Sequence, residues 1–330
     1  MLIRRTARHP YVAALALGLT ALALAVPTTL PATASPGGPA VGSSDHQAAS
    51  TSRTSSAKVA KKTAAGSQHL TAAAKRAGLE VGNATMGWRE RGTERTLPQE
   101  SGLLRYGAAA VARSSTDSFT PDGVLGVDIS SYQGNLKWST WTKKDRDFAY
   151  IKATEGTSYQ NKYFKTQYKA AGKAGVVRGA YHFANPAGKA GYKQARYFVE
   201  HGGGWTADGK TLPGVLDIEY NPYGSTCYGV SKKKTVKWVV SFTREYKKLT
   251  GRSAVIYTTT DWWKQCTGNS SKIADTNPLW IARYGSEKPG TLPKGWDEAT
   301  FWQYTSNPID QDVFPGKSKA FKKFAKKTED

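Results

Sequence analysis

Short β-rich runs separated by helical patterns recur from about Pro121 onward, and this alternation restricts the fold of the chain more than any other feature. The runs occupy 124–129, 148–153, 176–183, 215–219, 254–258, 279–284 and 300–304, with an eighth indicated near Asp310. Helical patterns lie between several of them, at 162–174, 189–200 and 232–249. The last carries Val236, Val239, Val240, Thr243 and Tyr246 at helical spacing. Gly175 and Gly251 follow two of these patterns, where glycine commonly ends a helix. Strands alternating with helices pair in parallel, and this number of runs in about 210 residues fits a closed β/α barrel. An open doubly wound sheet is the competing arrangement, but no glycine-rich phosphate loop follows the first run. Some connections are too short for a full helix. The expected fold is therefore an α/β, irregular (β/α) TIM-like barrel with its active site at the C-terminal ends of the strands.

The chain ahead of this region has another character. Arg4, Arg5 and Arg8 precede an apolar stretch from Tyr11 to Val26 and the small-residue site Ala32-Thr33-Ala34, the pattern of a secretory signal over 1–34. That stretch is short for a membrane span, and no other segment is apolar enough to cross a bilayer. A secreted, extracellular or wall-associated monomer is expected. Residues 35–118 are rich in Ala, Ser, Gly, Thr and Lys without a sustained period, and read as a mostly disordered linker or pro-segment. Short helical pieces fit around Leu70 to Leu79, and 119–330 is the folded domain. Cys227 and Cys266 make an even count in an exported chain, so a disulfide closing about 40 residues is expected, worth ~3–4 kcal/mol. Metal binding is the weaker reading, since neither cysteine lies in a close Cys/His pattern. Removing the signal takes the formal net charge from +22 to +19. Such a charge implies acidic partners. Nucleic acid lacks a recognition motif here, which leaves anionic wall polymers.

Polar residues fall repeatedly at the ends of the β-rich runs. Asp128 ends the first, Glu155 the second, Tyr181-His182 lie in the third, and Asp217 and Glu219 close the fourth. Tyr257, Tyr284 and Gln303-Tyr304 follow on the next three, and then Asp310. In a barrel these converge on one mouth. Asp217 and Glu219 are the sharpest pair: residues two apart on a strand share a face, with Cα atoms roughly 6.5 Å apart. Two desolvated acids repel, which raises the pKa of one and supplies a proton donor at neutral pH. The alternative is a salt-bridged strand end in a lysine-rich chain. Paired carboxylates in an aromatic cleft suit glycoside hydrolysis, where one group protonates the leaving oxygen and another stabilises the oxocarbenium-like centre.

The same residues carry a family resemblance. Asp128-Ile-Ser-Ser-Tyr-Gln133-Gly134, then Lys152-Ala-Thr-Glu155-Gly156 with Tyr159 and Asn161, resembles the signature of the glycoside hydrolase family 25 muramidases, the Chalaropsis-type lysozymes. Gly179-Ala-Tyr181-His182-Phe183, Leu216-Asp217-Ile218-Glu219, Leu279-Trp280-Ile281-Ala282 and Phe301-Trp302-Gln303-Tyr304 are similar to its later blocks. The resemblance covers about 122–316. It implies a secreted lysozyme that cleaves the β-1,4 bond between N-acetylmuramic acid and N-acetylglucosamine in bacterial peptidoglycan. It also implies Glu219 as general acid, Asp217 as the carboxylate supporting the transition state, and Asp128 as the acid of the first strand. Pro308-Ile309-Asp310-Gln311-Asp312 is similar to the closing block, with Asp310 at its acidic position and Asp312 as the substitute.

Glu155, Tyr181, Tyr257, Trp280, Tyr284 and Trp302 are candidate substrate-binding residues, although Glu155 equally suits an ion pair and the aromatics equally suit a core. His182 reads as a structural hydrogen-bonding residue, and Lys232-Lys233-Lys234 as a solvated helix start. The basic tail from Lys317 is given no role. No metal or organic cofactor is implied. Two non-enzymatic readings compete: a catalytically silent wall-binding protein, which intact Asp128, Asp217 and Glu219 oppose, and an envelope-associated structural protein acting through 35–118. A chitinase-like barrel would need acids where Leu212 and Val215 stand.

Overall fold

The computed structural model describes residues 69–91 and 119–328, all within the unit Thr63–Asp330. The signal read over 1–34 lies outside the described residues.

Among the described residues nine strands follow in order: β1 Val124–Ile129, β2 Arg146–Glu155, β3 Tyr159–Gln160, β4 Val177–Phe183, β5 Val215–Asp217, β6 Val255–Thr258, β7 Leu279–Ala282, β8 Phe301–Thr305 and β9 Gln311–Phe314. Their order in the sheet is β1-β9-β8-β7-β6-β5-β4-β2-β3, and the pairing of β1 with β2 closes it into an eight-stranded barrel, with β3 a small flap on β2. Every run read from the sequence is a strand. The eighth differs in direction: β9 is antiparallel to both β8 and β1. Only 306–310 separates β8 from β9, which suffices for a hairpin and not for the crossover a parallel strand needs.

Between strands run α2 Trp138–Thr142, α3 Phe164–Lys173, α4 Gly191–Phe198, α5 Lys232–Thr250 and α6 Thr260–Thr267, while β7 connects to β8 without a helix. One further helical turn, α1 Ala72–Arg76, precedes the barrel. In α5 the buried residues Thr235, Trp238, Val239, Phe242, Thr243 and Tyr246 form one stripe, and Gly251 ends the helix in the left-handed conformation at φ 71°. The stripe packs against Leu216 and Ile218, the outward residues of the β5 segment. Val215 points inward, into a barrel core with Phe148, Tyr150, Tyr181, Val255 and Trp280. Period-2 alternation therefore aims Asp217 into the barrel.

The tail from Lys317 has a structural role after all. Helix α7 Ser318–Lys326 closes the N-terminal end of the barrel, burying Phe321 and Ala325 against the inner core. Cys227 and Cys266 are bonded, with Cα atoms 5.3 Å apart, and tie the loop after β5 to α6. Among the described residues, no helix is long and apolar enough to cross a membrane.

Candidate active site

The acids read from the sequence meet at the C-terminal mouth of the barrel in two groups. Asp217 and Glu219, both fully buried, form the first. The amide of Ile218 donates to the carbonyl of Tyr257 at 3.0 Å, extending the strand geometry past β5 so that both acids share the inner face. Glu219 Oε1 accepts the Gly87 amide at 2.8 Å. Neither Asp217 oxygen nor Glu219 Oε2 meets a donor from elsewhere among the described residues. The two acids lie close enough for each to shift the titration of the other.

Burial, followed by the charge of Asp217, raises the Glu219 pKa well above the usual glutamate range. Burial also raises Asp217 well above the usual aspartate range, with the Lys152 ammonium opposing that shift and the Glu155 carboxylate adding to it. Both acids are therefore held towards the neutral form, and the pair keeps a proton at a pH where exposed carboxylates have lost theirs.

Asp128 and Asp310 form the second group. The Asp128 amide donates to the Asp310 carbonyl at 3.2 Å, and Gln303 Nε2 donates to Asp128 Oδ2 at 2.5 Å. Gln303 Oε1 in turn accepts from the hydroxyls of Tyr257 at 2.5 Å and Tyr284 at 2.8 Å. Tyr284 also reaches Asp310 Oδ1 at 3.4 Å, and Arg91 Nη2 pairs with Asp310 Oδ2 at 2.9 Å. Burial raises the Asp128 pKa, with Asp310 and Asp312 adding to the shift and the Gln303 amide opposing it. Asp310 sits at the mouth, whereas Asp312 lies deeper, opposite Gly126 on β1. That placement gives Asp310, rather than its substitute, to the mouth.

The family model of glycosyl hydrolases family 25 matches residues 127–313, more than half of the chain. The chain belongs to family 25. It is 46% identical over 202 residues to Lysozyme M1 of Streptomyces globisporus, covering 59% of this chain and 68% of that protein. It is 45% identical to the N,O-diacetylmuramidase of a Chalaropsis species, covering 54% of this chain and 87% of that protein. A family 25 lysozyme structure from Aspergillus fumigatus is 44% identical with a TM-score of 0.62, covering 62% of this chain and 100% of that one.

The barrel of this family 25 glycoside hydrolase does not place every candidate residue in the groove. Tyr257 and Tyr284 line the second acid group through Gln303. Tyr181 is fully buried in the inner core near both groups. Glu155 follows its ion-pair reading: Oε2 meets Lys152 Nζ at 2.6 Å, and Oε1 accepts the Tyr223 hydroxyl at 2.7 Å. Trp280 follows its core reading, with its ring 4.9 Å from Tyr150 and 5.6 Å from Phe301. Trp302 is placed away from the groove. It faces outward between Gln303 and Phe301, and its Nε1 donates to the Arg283 carbonyl at 2.9 Å. His182 also faces outward, bonded to Thr154 Oγ1 at 2.8 Å and Gln194 Oε1 at 3.0 Å. Burial lowers its pKa to about 3, so it is a neutral structural residue.

Two features were missing from the reading of the sequence. Gln303, noted only as a strand-end residue, is the hub that joins Tyr257, Tyr284 and Asp128. Residues 69–91 belong to the stretch read as mostly disordered, yet they lie packed on the barrel mouth, with Ala84, Met86 and Trp88 buried. The remainder of 35–118 lies outside the described residues. No group of three or more His, Cys, Asp or Glu among the described residues is arranged to hold a metal ion.

Proposed function

We propose that the chain is a secreted N-acetylmuramidase that hydrolyses the β-1,4 bond between N-acetylmuramic acid and N-acetylglucosamine in bacterial peptidoglycan. The observation that carries this reading is the buried Asp217–Glu219 pair, two acids on the inner face at the end of a barrel strand. Glu219 donates its proton to the glycosidic oxygen as the C–O bond breaks. Asp217 orients the 2-acetamido group, whose carbonyl oxygen attacks the anomeric carbon with retention, and stabilises the positive charge that develops. Water then opens that intermediate, returning a proton to Glu219. Asp128 and Asp310, joined through Gln303 and Tyr284, bind the sugar on the opposite side of the groove.

The relatives named as lysozyme and N,O-diacetylmuramidase support the same bond and substrate. Export is supported by the basic, apolar and small-residue pattern over 1–34 and by the Cys227–Cys266 bond. A working monomer is consistent with acids that all come from one chain. The formal net charge, +22 for the full chain and +19 without the signal, favours anionic wall polymers as the surface on which it concentrates. Digestion of purified peptidoglycan, followed by borohydride reduction and mass spectrometry of the new ends, tests the reading. Reducing muramic acid ends are expected. Reducing glucosamine ends would move the bond specificity, and a folded protein that binds walls without producing ends would be a silent binder.

A further inference from the structure

The segment 69–91 runs through the groove in which the proposed chemistry takes place. Its contacts fall on the catalytic groups themselves. The Gly87 amide donates to Glu219 Oε1 at 2.8 Å, and the Arg91 guanidinium caps Asp310 at 2.9 Å. The Ala84 carbonyl accepts from Lys152 Nζ. Met86 has no exposed surface and joins the inner core with Tyr181, Tyr257 and Trp280. Trp88, 2% exposed, donates from Nε1 to the Tyr220 carbonyl at 3.0 Å. A sugar cannot approach Glu219 while the Gly87 peptide occupies that space.

The approach is so close that only glycine fits. Gly87 has φ +64°, and a Cβ there would lie 2.3 Å from the Tyr284 hydroxyl, 2.4 Å from Gln303 Oε1 and 3.0 Å from the Tyr257 hydroxyl. The segment adds no strand to the barrel sheet. The family match begins at residue 127, well past Arg91. The barrel is therefore complete without the segment, which behaves as a ligand of the mouth. It is also an imperfect ligand. Glu219 Oε2 and both Asp217 oxygens receive no donor from it, so it blocks the reacting atoms without meeting all of them.

We propose that residues 69–91 are an intramolecular competitive inhibitor that holds the enzyme latent until the segment is removed or displaced. The proposal rests on the groove being the catalytic one. Being part of the same chain, the inhibitor occupies its site at any protein concentration. Its amide takes up the acceptor oxygen of the proton donor, its arginine neutralises Asp310, and Met86 and Trp88 fill apolar space.

The test compares the full chain with its Gly87→Ala and Trp88→Ala/Arg91→Ala variants. Release of reducing ends from purified peptidoglycan is followed, and binding of soluble wall fragments is measured separately by calorimetry. The variants should lower KM by at least ~10-fold with kcat little changed, since KM rises in inverse proportion to the open fraction. A synthetic peptide of residues 69–91 should restore the high KM when added to either variant. Equal KM values for all three chains, or variants that are slower with an unchanged Tm, would overturn the proposal. Failure of the peptide to compete would do the same, even if a variant proved hard to fold. The two readings separate cleanly. If the variants bind fragments better than the full chain and none cleaves, latency stands and the hydrolase reading fails. If all bind and cleave alike, the reverse holds.

Discussion

The barrel is stopped at both ends, by α7 at the bottom and by residues 69–91 at the mouth, and the two stoppers use different chemistry. Phe321 of α7 enters an aromatic layer, with its ring 5.4 Å from both Phe148 and Phe314. Phe324 packs 5.5 Å from Phe301, and Arg252 clamps the helix end through the carbonyls of Lys327 at 2.7 Å and Phe324 at 3.2 Å. The mouth segment also inserts an apolar side chain, Met86, but its flanking contacts fall on Glu219 and Asp310. An apolar seal at the bottom competes with nothing, so it acts on stability alone. A seal made on carboxylates competes with whatever those carboxylates are for.

The largest effect should come from the acid that the mouth segment covers. Glu219→Gln should lower kcat by ~10³-fold, within the usual range for removing a general acid, while wall fragments still bind once the segment is displaced. Turnover of peptidoglycan and fragment calorimetry check both halves, and retained activity would remove Glu219 from the acid role. Asp217→Asn keeps the shape but removes the anion. It should cost ~10²-fold in kcat, the scale of one lost electrostatic partner in a desolvated site. If kcat falls as much as with Glu219→Gln, Asp217 is doing more than stabilising charge.

The bottom seal should behave oppositely. Phe321→Ala should destabilise the fold by ~3–5 kcal/mol, the cost of emptying a fully packed phenylalanine site, and leave kcat of the remaining folded protein unchanged. Denaturant unfolding and single-temperature kinetics separate the two. Should Phe321→Ala alter KM, or Trp88→Ala cost as much stability as Phe321→Ala, the division between the two ends would collapse. Replacing Cys227 and Cys266 with serine should cost about 3 kcal/mol, because the bond constrains the chain between β5 and α6. It should also lower KM, since the loop it ties down holds the mouth segment through the Pro222 and Tyr220 carbonyls.

Much of this was legible in the sequence, and the boundary of legibility is physical. The barrel strands are short and apolar with acids at one end, so both the element type and the site position follow from residue type and order. The alternation that put Asp217 and Glu219 on one face also settles Trp302: as the neighbour of inward Gln303 it must point outward, and counting register from Gln303 reads it correctly. The mouth segment is less transparent. It is ordered by a few isolated side chains, Leu79, Ala84, Met86 and Trp88, with no period for a helix or strand to display. Low apolar content is a fair sign that a segment cannot fold alone, but it says little about a segment that docks on an existing groove. The bottom helix was overlooked for a related reason, since Phe321, Phe324 and Ala325 are few among many lysines.

The smallest predicted effect is a change in how stability depends on pH, and it isolates Glu219 from the acids around Arg91. Burial holds Glu219 protonated in the folded state above the pH at which an exposed glutamate ionises. The unfolded chain releases that proton first. Stability contributed by the neutral acid is therefore fully present below the ordinary glutamate range. It is lost progressively as pH rises from there towards the folded-state pKa. Glutamine carries no proton to lose, so Glu219→Gln should melt progressively higher than the parent as pH rises above that range. The gap should level off once Glu219 ionises in the fold. Asp128 and Asp312 have raised pKa values in both chains and give a common slope that cancels in the difference, whereas Asp217 titrates together with Glu219, so the gap reports the pair. Melting temperatures of the two chains across mildly acidic to neutral pH provide the comparison. Parallel curves would mean that the Asp217–Glu219 pair holds no extra proton in the folded protein, and that the proton must come from elsewhere in the groove.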